Sequence, residues 1–96
     1  MNANNEQPVE REVTIINRLG LHARAAARFV GVASQYDCRI AVHRGDKTVN
    51  GKSIMGVMML AAAQGTVLQL EAVGHDAEAA ITALETLIAN RFEEAE

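Results

Sequence analysis

His22 and Arg24 stand in the run Leu19-Gly20-Leu21-His22-Ala23-Arg24, where an extended segment gives way to a helix. The first turn of a helix has backbone N–H groups without partners and a partial positive charge, so an anion held there meets donors already pointing at it. A phosphoryl group suits such a place. The same field disfavours an imidazolium and keeps a neutral, nucleophilic ring nitrogen available. Arg24 is near enough to set its guanidinium against phosphate oxygens, and Arg28 lies one helical turn further on. A charge-assisted hydrogen bond contributes about 1.5 to 3 kcal/mol. The helix dipole contributes about 0.3 to 1 kcal/mol at an exposed site. Such modest terms fit a group that must be handed on, because tight holding of the cargo slows release. Position alone fits a solvated or capping histidine equally well, and each arginine taken singly reads as a surface charge.

A second group of interest begins at Ser53, a good N-cap residue ahead of a short helix. Ile54, Met55 and Met58 follow it closely, and by spacing alone such a stripe fits a core face as readily as an exposed one. His43, His75 and Cys38 do not make metal-ligand spacing, so no metal is expected. Cys38 reads as a small core residue, His43 and His75 as solvated.

The elements that must position these residues follow from periodicity. Val13 and Ile15 alternate with Glu12 and Thr14 as a first strand over 12–16. Ala26, Phe29, Val30 and Ala33 form the apolar stripe of a helix starting near His22 or Ala23. Cys38, Ile40 and Val42 mark a second strand, joined through Arg44-Gly45-Asp46 to a third over 47–49. After Ser53, Val57, Leu60 and Ala61 share one face of a short helix that leaves through Gln64-Gly65, although Gly56 weakens it by roughly 1 kcal/mol. Leu68, Leu70 and Ala72 alternate as a fourth strand, and Gly74 turns the chain. Asp76 caps a last helix with apolar positions 77, 80, 81, 84, 87 and 88. The order β-α-β-β-α-β-α predicts an α+β fold: an open-faced sandwich of a four-stranded antiparallel sheet with three helices on one face.

A chain of 96 residues, 49% apolar, predicts one domain over 9–96 behind a mobile polar tail, residues 1–8. No run approaches a membrane span, no basic-then-apolar leader opens the chain, and a lone cysteine suits a reducing compartment; a cytoplasmic location is expected. The net charge of −3 conceals an asymmetry. Residues 17–52 balance at +5 and residues 53–96 at −6. A basic region on an acidic molecule points to a local anion or an acidic protein face. With 3% aromatics there is little for bases to stack on, which argues against nucleic acid.

Gly20-Leu21-His22-Ala23-Arg24 resembles the active-site motif of the HPr family, the histidine phosphocarriers of the bacterial phosphoenolpyruvate-dependent sugar phosphotransferase system. Lys47-Thr48-Val49-Asn50-Gly51-Lys52-Ser53-Ile54-Met55-Gly56-Val57-Met58 resembles that family's regulatory-serine segment, and Ala63-Gln64-Gly65-Thr66 continues it. The similarity runs from about Val9 to the end of the last helix. It implies that His22 accepts phosphate at Nδ1 from phospho-enzyme I and passes it to the EIIA domain of sugar permeases, with Arg24 attending the phosphate. It implies that Ser53 is phosphorylated by an HPr kinase/phosphorylase, and that Ile54, Met55 and Met58 form a docking patch with Lys52 and Arg28 at its rim. The expected protein is a monomeric phosphotransfer intermediate without cofactor or independent turnover. A mainly regulatory role, through a transcriptional regulator or a nitrogen-related relay, is the alternative. One residue departs from the family pattern: Ala25 stands where a proline usually follows the arginine, which leaves the turn less rigid and frees one more N–H.

Overall fold

The alternating segments pair into one antiparallel sheet in a computed structural model that describes residues 7–96. Residues 1–6 of the expected tail lie outside the described residues. In chain order the elements are β1 (Val9–Thr14), α1 (Ala23–Ala33), β2 (Arg39–Arg44), β3 (Lys47–Asn50), α2 (Ile54–Met58), β4 (Val67–Val73) and α3 (Ala77–Ala89), followed by a single left-handed turn at Arg91–Glu93. The strand order is β1-β4-β2-β3, every pairing antiparallel. Period-2 alternation sends Val13, Ile40, Val42, Leu68, Leu70 and Ala72 to one face, where Phe29, Val57, Ile81 and Leu84 from the helices meet them. Each large apolar side chain so buried stabilises the fold by about 1.5 to 3 kcal/mol. The expected architecture, an open-faced α+β sandwich, is the one found. Arg11 on β1 reaches α3 through Glu85 at 2.6 Å, fastening the edge strand to the helical layer.

Several local expectations are corrected. β1 starts at Val9 and ends at Thr14, so Ile15 has left the ladder; it stays buried because its N–H and C=O bond to Thr66 and Gly65. α2 stops at Met58, well before Gln64-Gly65, and Ala61 is exposed with φ +50° while Ala62 takes the buried place. The left-handed step at Ala61 turns the Ala62 carbonyl toward the N–H of Leu21, which donates to it at 2.9 Å. Asp76 holds the N-cap position of α3 but makes no side-chain cap; its carboxylate accepts instead from the N–H of Asp37 at 2.8 Å. Cys38 is only partly buried, and its thiol is pushed above its ordinary value by desolvation. His43 is half-buried, its ring bridging Thr48 and Glu71 across the open face at 2.8 Å each. α3 buries Ala77, Ala80, Ile81, Leu84, Leu87 and Ile88, as the spacing predicts.

Gly20 decides where α1 begins. Its φ is +66°, and a Cβ there would lie 2.5 Å from the Ala62 carbonyl oxygen and 2.9 Å from the Ala63 Cα. Both obstacles are backbone and cannot rotate aside. We therefore expect Gly20→Ala to destabilise the protein by about 2 to 4 kcal/mol, read as a fall in Tm of roughly 10 to 25 °C.

The Asp37 N–H bond, with His75 beside it, holds the Asp76 carboxyl below the usual carboxylate range. A carboxyl lowered in the folded state stabilises fully above its unfolded value, near 4, and loses that contribution as pH falls through the folded value. Asp76→Ala should thus melt below the parent protein at pH 7, and thermal scans of the two should converge as pH falls through the lowered folded value of this carboxyl.

Candidate active site

The loop Ile15–Leu21 is pinned before it reaches α1. The N–H of Gly20 donates to the Asn17 carbonyl at 3.2 Å, the Asn17 amide returns a bond to the Gly20 carbonyl at 2.8 Å, and Leu21 is anchored to Ala62. His22 is then the N-cap of α1, with extended backbone (φ −70°, ψ 178°) and its carbonyl accepting from Ala26 at 2.8 Å. Its side chain makes no cap to the helix. Among the described residues, the N–H groups of Ala23, Arg24 and Ala25 have no acceptor, so the expected anion-receptive first turn is present. Arg24 is exposed and lines one shallow cavity with His22, Arg18 and Leu19. Ala25 is fully buried, so the site where proline is usual packs into the core.

The acidic end of the chain closes the other side of this cavity, a feature that sequence reasoning missed. Glu94 Oε2 lies 2.5 Å from His22 Nε2, and Glu94 Oε1 accepts from the Asn17 amide at 3.1 Å. Glu96 pairs with Arg18 at 3.0 Å. Burial raises the Glu94 carboxyl, but the bonds from His22 and Asn17, together with the nearby Arg24 charge, outweigh it and hold the group below the usual carboxylate range. The tail reaches this position through an unusual turn: Arg91, Phe92 and Glu93 have φ of +57°, +55° and +66°. Left-handed backbone costs a non-glycine residue about 1 kcal/mol or more, and three in succession persist only when anchored. Phe92 is fully buried, and its carbonyl accepts from the Arg28 guanidinium. Arg28 also lies 3.6 Å from Glu93, so it faces the tail and not the cavity. The basic half of the chain thus meets part of the acidic half internally. Phe92, four residues beyond Ile88, continues the α3 stripe and is the sequence signal that could have shown the tail to be fixed.

Ser53 is the N-cap of α2 and its hydroxyl accepts from the N–H of Gly56 at 3.0 Å. Lys52 donates to the Tyr36 carbonyl at 2.8 Å, so it is partly tied down. Ile54, Met55 and Met58 are exposed, as are Leu19 and Met59, which the sequence had not singled out. α2 packs on α1, so this apolar surface belongs to the same helical layer as His22.

Comparison with known proteins agrees with this picture. Residues 9–90 match the family model described as the PTS HPr component phosphorylation site. The chain is 58% identical over 86 residues to the phosphocarrier protein HPr of Pseudomonas aeruginosa, covering 88% of this chain and 96% of the relative. It is 41% identical over 87 residues to the phosphocarrier protein NPr of Shewanella violacea, covering 91% and 96% respectively. Among solved structures, HPr of Thermoanaerobacter tengcongensis superposes with a TM-score of 0.88 at 48% identity, covering 92% of this chain and 99% of that one. A histidine at an anion-receptive helix start, on this sheet-and-helix scaffold and with this match over nearly the whole described chain, identifies the protein as a member of the HPr family of phosphocarriers of the phosphotransferase system.

Proposed function

We propose that His22 is the residue that carries the phosphoryl group, accepting it at Nδ1 from phospho-enzyme I and passing it to the EIIA domain of sugar permeases. The observation that carries this reading is the half-buried His22 ring at the N-cap of α1: Nε2 is engaged by Glu94, and Nδ1 is without a hydrogen-bond partner among the described residues. Beside it stand Arg24 and three N–H groups that have no acceptor among the described residues. In-line transfer needs a neutral nitrogen, donors for the phosphate oxygens and little else, since positioning and charge supply most of the catalysis. Arg24 supplies a charge-assisted bond to the transferred group. Leu19, Ile54, Met55, Met58 and Met59 give the apolar surface on which partners dock, with Lys52 at its edge.

Ser53 is the control point in this reading, a substrate of an HPr kinase/phosphorylase. Phosphorylation adds a charge of about −1.5 to −2 at a helix start, where the dipole tolerates it. The fold survives while the docking surface gains negative charge. A second reading, a nitrogen-related relay through the same His22, is favoured by the likeness to the Shewanella NPr.

Incubation with phosphoenolpyruvate and enzyme I should give stoichiometric label that is acid-labile and base-stable, absent from His22→Ala and slowed about tenfold or more in Arg24→Ala. Label that persists in His22→Ala contradicts the proposal. Incubation with ATP and the kinase should give acid-stable label that disappears in Ser53→Ala, with EIIA phosphorylation by the doubly treated protein measured alongside. Absence of that label removes the regulatory role of Ser53 alone.

A further inference from the structure

We propose that Glu94 is a positioning residue for phosphoryl transfer: its carboxylate accepts the Nε2–H of His22 and so presents Nδ1, with its lone pair free, to the phosphorus. The inference rests on reading His22 as the phosphoryl acceptor. It stands on the 2.5 Å approach of Glu94 Oε2 to Nε2, on the second anchor of the same carboxylate at the Asn17 amide, and on the small exposure of the Glu94 side chain, 14%. Asn17 is itself fully buried, and its amide spans from Glu94 to the Gly20 carbonyl, so the carboxylate is tied to the loop that sets His22. A ring nitrogen's role is fixed by the bond that the other nitrogen makes.

The charge balance of the step gives the carboxylate a second task. The Nδ1 lone pair forms the new bond to phosphorus while the bond from phosphorus to the donor's leaving atom breaks. The ring keeps its Nε2 proton throughout, so phosphorylation makes the imidazole cationic. Glu94 lies against that charge, as a carboxylate beside a catalytic histidine stabilises the imidazolium in a triad. On handover the phosphoryl group leaves and the ring returns to neutral with Nε2–H still in place. The other charges around His22 are Arg24, which lines the cavity and has no ion-pair partner among the described residues, and Arg18, which is neutralised by Glu96. Glu93 is turned to Arg28. Glu94 is therefore the carboxylate positioned to serve the ring.

The test uses phosphoramidate as a small phosphoryl donor, so that it does not depend on enzyme I; its P–N bond breaks and ammonia departs with a proton from water. Phosphorus NMR separates Nδ1 from Nε2 phosphohistidine, and resonances absent from His22→Ala are those of His22. The full-length protein should be labelled at Nδ1 alone. Glu94→Ala should gain an Nε2 product amounting to at least half of the label and should take up phosphate at Nδ1 about tenfold more slowly, with Glu94→Asp restoring the Nδ1 preference. In the unphosphorylated protein a downfield, exchange-protected ring N–H proton of His22 should be present, should move upfield in Glu94→Gln and should be missing in Glu94→Ala. Glu94→Ala labelled at Nδ1 alone and at the parent rate overturns the proposal, as does absence of the ring N–H signal in the parent protein. If enzyme I fails to label His22 while phosphoramidate gives these products, the carrier reading falls and the positioning role stands.

Discussion

The contact between Gly20 and the Ala62–Ala63 backbone is the constraint on which the site depends. With a Cβ excluded at Gly20 and Leu21 bonded to the Ala62 carbonyl, the loop before α1 and the loop after α2 are locked together at van der Waals distance. The start of α1 is thereby fixed relative to the end of α2. Ala61 accepts a left-handed backbone on one side of this contact, and Gly20 accepts one on the other. Such local cost persists only where packing over-determines it. Here the buried Ile15, Leu21, Val57, Leu60 and Ala62 supply that packing. His22 inherits its place from this arrangement, and so does the exposed apolar surface of α2.

Electrostatics completes what the backbone begins. An N-cap histidine faces a positive helix end and a neighbouring arginine, conditions that suit an arriving phosphate but leave the ring without orientation. The C-terminal residues provide it. Phe92 is the apolar anchor, Arg28 holds its carbonyl, and Glu94 reaches the ring while touching Asn17. The carboxylate and Arg24 divide the imidazole's surroundings: negative charge beside Nε2, positive charge at the cavity beside it. A group that must be received and given up in turn is served by modest, opposed terms and not by one deep well.

Elements whose own periodicity determines their burial were legible in the sequence. The six apolar positions of α3, the alternation of β4 and the hairpin of β2 and β3 depend on local pattern, and the structure has them where the pattern puts them. His22 was legible as a helix-start residue and Ser53 as an N-cap, because capping is a relation among near neighbours. What escaped was long-range. Glu94 meets His22 across 72 residues, Asn17 meets Glu94 across 77, and Arg28 meets Phe92 across 64. The charge asymmetry signalled this attraction, yet it reads equally as a call for an outside partner. Asp76 shows the same limit on a smaller scale: a good cap residue was drawn instead to the N–H of Asp37, a neighbour in space only.

The most direct measurement on the central claim is phosphorus NMR of the isotopically labelled protein after phosphorylation by phosphoenolpyruvate and enzyme I, followed by addition of an EIIA domain. The account predicts one phosphoramidate resonance, correlated to the Nδ1 nitrogen of His22, which vanishes as the EIIA histidine becomes phosphorylated. Phosphate on Nε2, on His43 or on His75, or phosphate on His22 that EIIA does not remove, would contradict it.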